Sequence, residues 1–363
     1  MSDRTTRREM LKGFGLMAGS AALAPIVHVA PVFAAANEEY VSPFEFNDPS
    51  PKVHKFSERA SVIDPRAKSH PEINYILEKD GKPRDTMTAS VDTRVKPRGR
   101  LLLSLMGGSL FSHVNGYGMH AIAVPYADGW FSLVTTGKPK ETWRGDVRLE
   151  AIAGEDVSAL VDIPKPDSLM ERAYQFLKWL AKTHPLGKWD YFLTKDGSAV
   201  RWEAVTLAGL SHGSTTAARF AMHVKVDRVV CFSGPRDQDQ SWQAGPSATP
   251  PERYFGFSHV LDAGWVGKHY CRSWEMLGLH KFGPIVDVEK SKPPYENTRR
   301  LVTSRDGGGR LNHHNGVAPN DFAYRDQEKK FVHAEVWKYL FTHSISEVGK
   351  ATELDPGCQG KPK

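Results

Sequence analysis

Cysteine is scarce in this chain: there are three in 363 residues, Cys231, Cys271 and Cys358. Three thiols cannot build a disulfide framework, and no Cys-x-x-Cys pair is present for zinc or redox work. Cys231, inside Val229-Val230-Cys231-Phe232, reads as an apolar filler. Cys271 and Cys358 could pair in an oxidising compartment, but a core of this size does not require it. A basic block is missing too. The net charge of +6 includes +2 from residues 1–36, and the other +4 is spread along the chain. Nucleic-acid binding needs a patch or stripe, so that class is set aside. There is no His-Glu-x-x-His helix, and Asp306-Gly307-Gly308-Gly309-Arg310 lacks the Gly-Lys-Ser/Thr ending of a phosphate loop. No cofactor is implied and no internal repeat is visible.

What is present begins at the N-terminus. Thr6-Arg7-Arg8-Glu9-Met10-Leu11-Lys12 has the order of a twin-arginine export signal. A mildly apolar stretch follows from Gly13 to Phe33, broken by Gly19, Pro25 and Pro31, before Ala34-Ala35-Ala36. Such a stretch is a poor permanent span, so residues 1–36 are expected to be a cleaved leader. The mature protein is then expected in the periplasm or outside the cell, without stable membrane insertion. Hydrophobic residues at 40% and charged residues at 25% suit a soluble globular chain.

Residues 37–70 read as an irregular leading segment. A catalytic-type domain is expected over 71–345, with an insertion at 127–166 and a flexible tail over 346–363. Within it, strands are expected at 73–77, 101–106, 121–126, 204–208, 228–232, 254–260 and 300–303. Asp80-Gly81 reads as a hairpin turn. Ser168-x-x-Glu171 is a capping box before an apolar stripe of Leu169, Ala173, Phe176, Leu177 and Leu180. Further helices are expected at 215–223, 273–279 and 331–341. Alternating strands and helices predict a mostly parallel central sheet flanked by helices on both faces. Ligands in such sheets bind at the carboxyl ends of the strands.

Gly209-Leu210-Ser211-His212-Gly213 is a Gly-x-Ser-x-Gly pattern, placed between a strand and an Ala-rich helix. Ser211, Asp262, His314 and Gly108 each follow an expected strand. Four chemically useful positions therefore converge on one edge of one sheet.

On these residues, over roughly 70–343, the chain resembles the α/β-hydrolase superfamily. It is similar to a bacterial family within it through Trp202, Ala208–Gly213, Arg228–Pro235 and Tyr254–His259. The resemblance implies a nucleophile elbow at Ser211. It implies oxyanion-hole donors from the backbone N–H of His212 and from the loop after Met106, at Gly108 or Ser109. His314 is the expected base, with its neighbour His313 the alternative. The expected acid is Asp262, with Asp237 the alternative. The implied activity is hydrolysis of a small-molecule ester, with amide or thioester as other bonds and no metal involved. Two other readings stand beside it: a non-catalytic binding protein on the same fold, and a metal-dependent hydrolase using His212, His259, His313 and His314. Asp287, Glu289 and Glu296 read as solvated. The oligomeric state and the substrate are not legible.

Overall fold

A computed structural model describes residues 40–132, 142–237 and 240–359. The expected leader and the middle of the insertion, 133–141, lie outside them. In chain order the strands are β1 (Val53–Arg59), β2 (Glu78–Lys79), β3 (Lys82–Pro83), β4 (Thr86–Asp92), β5 (Leu101–Ser104) and β6 (His120–Ala123). They continue with β7 (Val205–Leu210), β8 (Arg228–Phe232), β9 (Tyr254–His259), β10 (Ile285–Asp287) and β11 (Arg300–Thr303). Nine of them form one sheet in the order β1-β4-β6-β5-β7-β8-β9-β11-β10. β4 runs antiparallel to both neighbours, and every other pairing is parallel. This is the α/β-hydrolase fold.

The central strands are continuous apolar runs because both faces of the sheet are covered. Successive side chains point to opposite faces. Leu101, Leu103, Leu207 and Val229 therefore pack with helices α4 (Leu169–Thr183) and α5 (His212–His223). Leu102, Ala208, Val230 and Phe257 pack with Trp337 and Leu340 of the last helix, α9 (Ala334–Thr342). Helix α4 starts as expected: Ser168 Oγ accepts from the Glu171 N–H at 3.3 Å. Only half of the capping box forms, because the Glu171 carboxylate goes to Arg66 and Gln175 instead. The Leu169, Ala173, Phe176, Leu177 and Leu180 stripe is fully buried.

Several expectations need correction. The leading segment contains β1, an edge strand whose residues alternate between exposed and half-buried. Residues 73–77 form no strand: Pro71–Ile73 is a helical turn, Asn74 is left-handed, and only His70 bridges Tyr75. The Asp80-Gly81 turn does join a hairpin, β2 to β3, with both residues at positive φ as a type I′ turn demands. His313 and His314, for which no helix was expected, sit on a short one, α8 (Arg310–Asn315).

The C-terminal segment is docked as far as residue 359. Gly349 N donates to Asn297 O at 2.9 Å, Thr352 N to His280 O at 2.9 Å, and Asp355 N to Glu275 Oε1 at 2.6 Å. Cys358 and Cys271 form a disulfide, their Cα atoms 5.4 Å apart.

Candidate active site

A tight strand-to-helix turn at Ser211 joins β7 to α5. Ser211 lies at φ 56°, ψ −113°, a conformation an L-residue rarely adopts. Such strain costs on the order of 1–3 kcal/mol and persists where the surroundings impose it. Here the Ser211 N–H donates to Phe232 O at 2.9 Å, tying the turn to β8. The flanking glycines are steric requirements. A Cβ on Gly209 would lie 2.2 Å from the Gly213 carbonyl carbon, and one on Gly213 would lie 2.4 Å from Leu105 O.

The turn is linked to the histidine helix through β8. Ser233, the residue after that strand, donates its hydroxyl to His314 O at 2.6 Å. Asp262 follows β9 and caps the short helix α6 (Ala263–Val266). Its Oδ2 lies 2.6 Å from His314 Nδ1, with the carboxyl 1% exposed and the imidazole 25% exposed. An ionised carboxylate only accepts, so Nδ1 carries the proton and Nε2 of the neutral ring is left as an acceptor. Asp262 Oδ1 accepts from Gly264 N–H at 2.7 Å and from the Tyr270 hydroxyl at 2.9 Å. Burial pushes the Asp262 carboxyl up. The hydrogen bond and charge of His314, with the Gly264 and Tyr270 donors, outweigh that and hold it below the usual carboxylate range.

The two alternatives sit elsewhere. Asp237 is bound bidentately by the buried Arg148, Nη2 to Oδ1 at 2.8 Å and Nε to Oδ2 at 3.1 Å, and accepts from Trp242 Nε1 at 3.1 Å. His313 packs its ring on His259, centroids 4.4 Å apart. His259 in turn holds the acid turn: its Nδ1 accepts from Leu261 N–H at 3.0 Å and its Nε2 donates to Arg305 O at 2.9 Å. Both ring nitrogens of His259 are thereby committed to backbone. Among the described residues no group of three or more His, Cys, Asp or Glu is arranged to hold a metal ion.

The two positions expected to supply oxyanion donors lie in turns that follow β7 and β5. His212 opens α5, and Gly108 lies in the helical turn Gly107–Leu110 after β5. Leu105 N donates to Ala208 O at 2.8 Å, and Ser104 Oγ donates to Gly107 O at 2.6 Å, so this loop is anchored against the elbow strand. The His212 ring lies 5.4 Å from Trp130, with Arg148 Nη1 3.2 Å from its Nδ1. Burial first, then the Arg148 charge, push that imidazole well below its ordinary range, so it stays neutral.

Two residues with clear parts in this geometry had no signal in the sequence. Arg148 comes from helix α3 (Trp143–Ala153) of the insertion, and Tyr270 from helix α7 (His269–Met276). Neither lies near a motif, and only the fold brings them to the site.

Comparison with family models gave no match, and no curated protein sequence matched. Among solved structures, esterase B from Lactobacillus rhamnosis is 11% identical, with 62% of this chain and 69% of that one aligned and a TM-score of 0.29. An esterase from the fungus Rhizomucor miehei is 13% identical, with 63% of this chain and 72% of that one aligned and a TM-score of 0.28. At these scores neither lends an activity to this chain.

Proposed function

We propose that the protein is a serine hydrolase acting on carboxylic esters. One observation carries the reading. A strained, non-glycine Ser211 stands at a strand-to-helix turn, on the same sheet edge as a His314–Asp262 pair bonded at 2.6 Å. In this scheme His314 Nε2 takes the Ser211 hydroxyl proton as Oγ attacks the ester carbonyl. The tetrahedral oxyanion is met by the backbone N–H groups of His212 and Gly108. The imidazolium returns the proton to the departing alkoxide, leaving an acyl-enzyme. Water, deprotonated by the same imidazole, then releases the acid. Asp262 holds the tautomer and stabilises the imidazolium.

Export by the twin-arginine route belongs to the same proposal. It is supported by Arg7-Arg8 and by the Cys271–Cys358 disulfide, which suits an oxidising compartment.

The test is labelling with a fluorophosphonate probe beside turnover of an ester chain-length panel. Labelling and turnover should both vanish in Ser211→Ala. Labelling that persists in Ser211→Ala, or activity lost only to a chelator, would sink the reading.

A further inference from the structure

The Tyr270 side chain is fully buried, and its hydroxyl has few places to turn. It lies 2.9 Å from Asp262 Oδ1 and 3.5 Å from His314 Nδ1. The Nδ1 proton is directed at Asp262 Oδ2, so the phenol donates to Oδ1. Burial first, and then the Asp262 charge, push the phenol well above its ordinary range, which keeps it a donor at any working pH.

The surroundings fix this phenol from several sides. A Cβ on Gly264 would lie 2.1 Å from Tyr270 Cζ, so the acid turn is wrapped directly on the ring. Gln240 Nε2 donates to His269 O at 2.7 Å and to Ser273 Oγ at 2.6 Å, holding the helix before and after Tyr270. Trp274 Nε1 donates to Gly234 O at 2.9 Å, one turn further on. The next residue, Cys271, is bonded to Cys358. A side chain needed only to fill space would not require its hydroxyl to be aimed at the second oxygen of this carboxylate.

We propose that Tyr270 is a positioning residue for the Asp262–His314 pair, resting on the serine-hydrolase reading above. Its hydroxyl and the Gly264 N–H saturate Oδ1 and lock the carboxylate with Oδ2 facing the imidazole. By drawing charge toward Oδ1 the hydroxyl also weakens the hold on the imidazolium, and so sets the pH above which His314 serves as base. The charged and titratable groups facing this cluster are Asp262 from the β9 turn, His314 from α8, Arg236 from the segment after β8, and His259 from β9.

The experiment measures kcat and KM against pH for the full chain, Tyr270→Phe, and a chain carrying a fluorotyrosine at position 270. Phe keeps the ring and removes the donor, while fluorotyrosine is a stronger donor of nearly the same shape. Tyr270→Phe should lower kcat about tenfold or more, the scale of one hydrogen bond to a charged group, with KM little changed. Its acidic limb of kcat/KM should move to higher pH by about half a unit. The fluorotyrosine limb should move to lower pH. A limb and a kcat identical to those of the native chain in Tyr270→Phe would overturn the proposal. So would a change confined to thermal stability. If Tyr270→Phe does not fold, the fluorotyrosine chain decides alone, and an unmoved limb overturns the proposal. Ser211→Ala run in parallel separates the two levels. Full turnover in that variant removes the hydrolase reading and this inference with it, whereas Ser211-dependent turnover with an unmoved limb removes only the inference.

Discussion

At the scale of single residues, the turn at Ser211 stores backbone strain. Ser211 holds φ 56° without being glycine, and its neighbours impose that conformation. Ser211→Gly should therefore abolish turnover and still raise stability by about 1 kcal/mol, seen as a higher urea midpoint. The two candidate acids should also part company. Asp262→Asn keeps the shape but presents an N–H or a neutral oxygen to His314 Nδ1, favouring the wrong tautomer. A loss of about 10³–10⁴ in kcat with a native unfolding curve is expected. Asp237→Asn should instead leave the buried Arg148 charge without its counter-ion and cost about 3–5 kcal/mol of stability. Equal kinetic losses from the two variants would contradict the assignment of Asp262. The pentapeptide was legible in the sequence because its chemistry is local. Asp262 and His314 were legible as positions after strands, but which carboxylate, Asp262 or Asp237, meets His314 rests on side-chain reach that no local pattern encodes.

At the scale of elements, legibility followed burial. The strands read most closely, Arg228–Phe232, Tyr254–His259 and Arg300–Thr303, are buried along their whole length. The strands missed, β1 and β10, are the two edges of the sheet: β1 alternates exposed and half-buried residues, and β10 is only the three residues Ile285-Val286-Asp287, too short to stand out as an apolar run. β4 was missed as well: Thr86–Asp92 carries short, polar and apolar residues, and its burial comes from packing between β1 and β6 rather than from strong hydrophobicity. Glu289 is exposed, as expected, yet its carboxylate is engaged. It accepts from Thr303 Oγ1 at 2.7 Å and His333 Nε2 at 3.1 Å and is held down to about 2 by those contacts, the His333 bond foremost. Helix α4 was legible because its apolar stripe and its cap agree. Phe176→Ala should cost about 3–5 kcal/mol in a denaturant titration, without moving the pH profile of any activity.

At the scale of the whole molecule, two features govern stability. The first is the docked C-terminal segment. Cys358→Ser should lower the unfolding free energy by about 2–5 kcal/mol, measured against the native chain without reductant. The second is histidine burial. Burial pushes His113 and His120 down to about 4. Their folded values are depressed, so below pH ~6.5 the unfolded chain binds protons that the folded chain refuses. Stability should therefore fall as pH drops from about 6.5 toward 4, with a slope approaching ~2.7 kcal/mol per unit if both contribute fully. A flat unfolding free energy across that window would show that neither ring is held neutral.

The sequence by itself determined the α/β architecture, the elbow serine and the strand ends where an acid and a base would stand, because apolar runs, glycine spacing and chain order are local or one-dimensional signals. The tertiary structure alone decided the rest. It placed Asp262 rather than Asp237 against His314, brought Arg148 and Tyr270 from distant helices, and joined Cys271 to Cys358. Each of these depends on distances between segments far apart in the chain, set by how the sheet and its helices pack.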